Sequence, residues 1–213
     1  AGFGVRNLRG VFISHHHIDH NADLGLLIVQ NWIFGSRKPV PVLGPQGTVA
    51  MVEGLVAAHA PTELASFSVA GPPNPPLRTA VAASDLPVLM DAPTLVYEDE
   101  LVKVSAITVD HYQVAPVAPL ARMPTAVAFR IEAGGRSFVY SGDTGRSPRL
   151  RRLAQGADVL ISEVVDVEAI TAALGASMPQ ASATVVKGIA GNMSANHLEP
   201  EVIGELAEAA GVG

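Results

Sequence analysis

Four of the seven histidines in this 213-residue chain fall within six positions: His15, His16, His17 and His20, with Asp19 among them. Imidazole nitrogens and carboxylate oxygens are the donors that suit zinc and similar borderline cations. Side chains two apart in an extended segment point to the same side, so His15 and His17 can share one cation. Asp19 and His20 follow about one turn further on, placed for a second cation beside the first. The competing reading is a solvated histidine-rich loop or a purification tag. A tag is an unbroken run at a terminus, whereas this run is interrupted and follows an apolar stretch. His16 faces away from its neighbours in an extended loop and is expected to support the loop or to be exposed.

The elements that must position this cluster can be read from the flanking pattern. Val11 to Ile13 is a short apolar run that reads as a buried strand. Asn21 or Asp23 can cap a helix running through Leu24, Leu27, Ile28 and Ile33. Val40 to Leu43 reads as a second strand, and Gly44-Pro45 turns it into a helix over about Gly47 to Ala60. Residues 64–93 hold Pro72, Pro73, Pro75 and Pro76, show little periodicity, and are expected to form a long loop or inserted flap. Strands are predicted over Thr94–Tyr97, Leu101–Val109, Thr125–Glu132 and Arg136–Tyr140, with Gly134-Gly135 as a hairpin turn. A helix over about Pro148 to Gln155, a strand over Val159 to Ile161 and a helix over Pro200 to Ala210 follow, with Gly211 at a helix C-cap position. Strands and helices mix throughout, so the class is α/β (α+β) with one continuous core and a single domain over residues 1–213.

Composition narrows the function. Apolar residues are 48% and charged residues 16%, which excludes a disordered chain. The net charge is −6, with no basic excess of the kind that phosphate contacts require, so no nucleic-acid partner is expected. The absence of cysteine removes disulfides, thiolate zinc ligands and thiol nucleophiles. No stretch reads as a membrane span, and a soluble protein of cytoplasm or periplasm is expected.

The run Ser14-His15-His16-His17-Ile18-Asp19-His20 resembles the HxHxDH signature of the metallo-β-lactamase superfamily. Ser141-Gly142-Asp143-Thr144, after a strand, resembles that superfamily's later aspartate motif, and His111 resembles its third histidine. The resemblance covers nearly the whole chain. It implies an αββα four-layer sandwich with two metals at one edge. His15, His17 and His111 would hold one metal, Asp19 and His20 the other, and Asp143 would bridge them. Two Zn2+ per chain are implied, with Mn2+ or Fe2+ as substitutes. Two cations about 3.5–4 Å apart acidify a shared water and stabilise charge on the attacked centre. Asp19 is expected to orient or deprotonate the nucleophile. The superfamily's last metal-binding histidine, on a strand after the final helix, has no counterpart here, and the usual pair of strands before the first motif is missing, with Ala1-Gly2-Phe3-Gly4 resembling the glycine-rich end of one. The domain is therefore expected to be incomplete at both ends.

Within the superfamily, the chain is most similar to the ribonuclease Z and arylsulfatase-like branch. Asp110-His111-Tyr112-Gln113 departs from the thioesterase and lactonase pattern, and the step from His111 to Asp143 crosses a hairpin. Ile161-Ser162-Glu163-Val164 resembles the branch's glutamate motif, and Asn196-His197-Leu198 its late histidine. That likeness implies a Glu163–His197 pair protonating the leaving group. The expected activity is hydrolysis of a small phosphodiester or aryl sulfate ester. Hydrolysis of a β-lactam or lactone in the same site, and a non-catalytic metal-binding or interaction domain, are the alternatives. The absent basic excess and the motif surroundings place arylsulfatase-type hydrolysis above ribonuclease Z proper. Tyr112 and Arg122 are candidate substrate contacts. Asp110 reads as a residue orienting a ligand or as a strand-end charge, His59 as a helix-end residue, and Trp32 and Phe34 as core or interface. The 64–93 segment would serve as a lid or as the contact of a homodimer.

Overall fold

The structure, a computed structural model, describes residues 4–34, 38–66, 74–113 and 123–212. It divides into two compact units, Ala1–Pro87 and Val88–Gly213. Each has its own sheet and its own apolar cluster, where the sequence reads as one continuous core.

In the first unit, β1 (Val11–Phe12), β2 (Val40–Gly44) and β3 (Val81–Asp85) form a parallel sheet in that order. Helices α1 (Leu24–Ile33), α2 (Thr48–Ala58) and α3 (Ala60–Ala65) fill the crossovers. Parallel strands need such connections. Ile13, Leu24, Ile28, Val29, Trp32, Val42, Val52 and Leu77 are buried together. Trp32 is core, and its indole N–H donates to the Pro75 carbonyl at 2.6 Å. Phe34 is exposed.

The expected loop over 64–93 is corrected by β3 and by a 3-10 turn over Leu77–Ala80. The strand was hidden because it is short and built on Ala82, Ala83 and Ser84, small residues without an apolar alternation. Its pairing with β2 supplies the order that its side chains do not. Asp85 at its end accepts from the Val49 N–H at 2.9 Å and so caps α2. Residues 67–73, with Pro72 and Pro73, lie outside the described residues. The helix expected over 47–60 is divided after Ala58, with His59 at the junction bonded to Thr62 Oγ1.

In the second unit, β4 (Thr94–Glu98), β5 (Val102–Val109), β6 (Ala126–Ala133), β7 (Arg136–Tyr140) and β8 (Val159–Ile161) form one sheet in chain order. The first four are antiparallel and β8 joins parallel to β7. Gly134 and Gly135 take φ of 58° and 75° at the β6–β7 turn, the positive-φ pair that a tight hairpin requires. Helices α4 (Pro148–Ala154) and α7 (Pro200–Ala210) pack Leu150, Leu153, Leu206 and Ala210 with Ile107, Ala128 and Val139 of the sheet.

Two further helices, α5 (Val167–Ser177) and α6 (Ala183–Asn196), have no sequence expectation behind them. No residue of α5 is buried, and in α6 only Asn196 is. Without a buried face there is no apolar period to read. Their legible signals are the caps: Asp166 accepts from the Ala169 N–H at 2.8 Å and Ser182 from the Val185 N–H at 3.3 Å.

Candidate metal centre

In the first unit the chain leaves β1 extended, and Ile13 N–H still bonds Leu43 O at 2.8 Å. The donors follow at once. His15 is fully buried, with Nδ1 3.1 Å from Ser14 Oγ and Nε2 3.1 Å from His17 Nδ1. Two ligands bound at about 2.05 Å to a tetrahedral zinc lie about 3.3 Å apart. The His15–His17 nitrogens already have nearly that spacing. Ser14 can accept the Nδ1 proton of His15, leaving the Nε2 lone pair for a cation. The 3-10 turn Ile18–His20 then brings the His20 ring to 4.1 Å from the His15 ring, with Asp19 Oδ2 3.4 Å from His20 Nε2.

His16 points the other way. Its Nε2 is 3.3 Å from Thr48 Oγ1 and 3.4 Å from Pro45 O, and its Nδ1 is 3.5 Å from Asn21 Nδ2. It ties the histidine loop to the β2–α2 turn. Gly44 permits that turn: a Cβ there would lie 2.5 Å from Thr48 Oγ1 and 2.9 Å from Ile13 Cβ.

The second unit assembles a separate donor group from strand ends. His111 follows β5 and is buried, and its Nδ1–H donates to the Asn196 carbonyl at 2.8 Å. That bond fixes the tautomer and frees Nε2 for a ligand. Asp143, buried in the loop after β7, follows Gly142 at φ 58°. Ligand atoms of His111, Asp143 and His197 lie within 4.8 Å of one another. Glu163, after β8, accepts the Thr144 N–H through Oε1 at 2.7 Å. Its other oxygen lies 2.7 Å from His197 Nδ1, which is 3.7 Å from Asp143 Oδ2. Burial raises the Glu163 carboxyl above its ordinary value. The Thr144 N–H and His197 pull it back, and Asp143 adds to the rise.

The structure thus gathers His15, His17, Asp19 and His20 in one unit and His111, Asp143, Glu163 and His197 in the other. Tyr112 packs against the second unit's core, 4.8 Å from the His111 ring. Arg122 lies outside the described residues. Three supporting residues escaped the sequence reading. Asn196 orients His111 through its carbonyl and takes the Gln113 N–H on Oδ1 at 2.7 Å. Gln113 Nε2 bonds the Asp110 and Ala195 carbonyls, each at 2.8 Å. Arg149 bonds Asp91 and Asp110. Of these, Asn196 stands beside His197 and Gln113 two places after His111; Arg149 carried no signal.

A sequence profile of the beta-lactamase superfamily domain matches residues 3–213. The chain belongs to the metallo-β-lactamase superfamily. Its fold is therefore α/β, two sheets flanked by helices. It is 27% identical to a ribonuclease Z of Mycobacterium marinum over 95% of this chain and 72% of the relative. It is 28% identical to one from Mycobacterium sp. strain KMS, over 100% of this chain and 66% of that protein. The crystal structure of human tRNase Z, short form, superposes with a TM-score of 0.62 at 17% identity, over 100% of this chain and 72% of that one. Zinc-bound PqqB of Methylobacterium extorquens gives 0.50 at 16% identity, over 93% and 57%. These superfamily relatives are longer than the chain, which spans about two thirds of the ribonucleases Z. Among the described residues no helix is long and apolar enough to cross a membrane.

Proposed function

We propose that the two donor groups serve one dinuclear metal site, and that the protein containing this chain is a metal-dependent phosphodiesterase. His15, His17 and His111 would hold one cation and Asp19 and His20 the second, with Asp143 shared. The donor set fits zinc: imidazoles whose far nitrogens are engaged, and carboxylates beside them. Bound there, the cations would supply an acidified water and charge stabilisation at the attacked centre.

The observation that carries the reading is the Glu163–His197 pair at 2.7 Å beside Asp143. Glu163 Oε2 accepts the His197 Nδ1 proton and so fixes the tautomer and orientation of the ring. His197 Nε2–H is then the donor for the departing alkoxide, and Glu163 keeps the ring oriented through the transfer. Asp19 is the carboxylate that orients the attacking water.

The preference for aryl sulfates over RNA is revised on the side of RNA. Relatives of the chain carry the names ribonuclease Z and tRNase Z. The net charge of −6 supplies no general attraction for RNA, and the densest basic run is partly paired, Arg146 with Glu205 and Arg149 with two aspartates, so recognition would rest on the site itself. An RNA phosphodiester is the proposed substrate class. The test is a panel offered to the full-length, zinc-loaded protein: a precursor RNA, an aryl phosphodiester, an aryl sulfate, a lactam and a lactone. Turnover of the phosphodiesters supports the reading. Turnover of sulfate, lactam or lactone alone moves the activity to that ester class. Inactivity on all five, with a specific partner captured, leaves a binding domain.

A further inference from the structure

The loop carrying His111 and the loop carrying Asp143 are joined at one residue, Asp110. Its N–H donates to Thr144 Oγ1 at 3.1 Å, and its carbonyl accepts from Gly145 N–H at 2.9 Å. Its carboxylate takes Arg149 Nη2 at 2.6 Å, while Arg149 Nη1 reaches Asp91 at 3.0 Å. Arg149 sits in the first turn of α4, directly after the Asp143 loop. Its Nε is buried without a hydrogen-bond partner among the described residues, so the guanidinium is held by its two terminal nitrogens. The Arg149 and Asp110 side chains are 23% and 26% exposed. That is dry enough for a charge-assisted bond to constrain both.

We propose that Arg149 is a positioning residue: through Asp110 it sets His111 relative to Asp143. The inference rests on the metal-site reading above. The main-chain bonds of Asp110 join its backbone to the Thr144–Gly145 edge. The Arg149 fork holds the same residue by its side chain, from the opposite end, and anchors it to Asp91, ahead of β4. One ammonium cannot reach both aspartates as two guanidinium nitrogens do, so lysine is a graded substitute.

The test is cobalt(II) binding to the full-length protein, read by affinity and by the visible ligand-field spectrum. Arg149→Met is expected to weaken binding about 10-fold or more, the range for partners that orient metal ligands, and to shift the spectrum. Arg149→Lys gives the same shift with a smaller loss. Asp91→Asn gives a smaller loss than Arg149→Met, because the Asp110 arm remains and only the anchor of the other arm is weakened. A folded Arg149→Met with unchanged affinity and spectrum overturns the inference. If that variant does not fold, an unchanged Arg149→Lys overturns it instead. Asp91→Asn matching Arg149→Met also overturns it, since the Asp110 arm would then carry nothing. Wild-type protein that takes up no cobalt overturns the metal-site reading and this inference together.

Discussion

His197 Nδ1 lies 2.7 Å from Glu163 Oε2 and 3.7 Å from Asp143 Oδ2. One imidazole therefore faces both a half-buried carboxylate that holds its Nδ1 and a carboxylate that can serve a metal. On the proposed reading this imidazole is the proton donor to the leaving group.

The leaving group should expose this division. His197→Ala is expected to lower kcat/KM by about 10²–10⁴-fold on phosphodiesters with alkyl or ribose leaving groups. On p-nitrophenyl esters the loss should be small, because nitrophenolate departs without a proton. Steady-state kinetics on the two substrate types checks it. An equal loss on both would place His197 with the metal ligands.

Glu163 predicts a pH dependence of stability. Burial raises its carboxyl above the ordinary 4.5. A raised folded value means that the neutral acid is favoured in the fold. The contribution is fully present below the unfolded value and is lost as pH rises through the folded one. Wild-type protein should therefore lose stability relative to Glu163→Gln as pH is raised from about 4 toward 7. Paired thermal melts of metal-free protein measure the difference. A wild type that gains on the variant over that range contradicts the assignment.

Gly145 is a packing requirement. A Cβ there would overlap the Ala195 carbonyl and crowd Gln113 Nε2 at 2.7 Å. Gly145→Ala should cost about 1–3 kcal/mol, the usual penalty of overpacking, and should displace α6 with the Asn196 carbonyl that orients His111. Denaturant unfolding reads the first effect and cobalt binding the second. A variant as stable as wild type would mean that the Asp143 loop and α6 are not in contact.

The legible part of the molecule is the part with strong local chemistry. The histidine run, the Gly134-Gly135 hairpin, β8 and α7 lie where the sequence expects them, because apolar period and turn residues agree there. The hidden part lacks such signals. β3 takes its order from β2, and α5 and α6 bury almost nothing. In the site, donor types were legible but their supports were not. The Asn196 carbonyl and Arg149 act across 85 and 39 positions of chain, which no spacing rule reaches.

Metal content tests the proposed shared dinuclear site. The full-length protein and its Asp143→Ala variant would be loaded with zinc, desalted and measured for metal per chain. Two zinc ions are expected in the wild type, with loss of tight binding at both positions in the variant. Two ions retained without Asp143, or no zinc in the wild type, would contradict it.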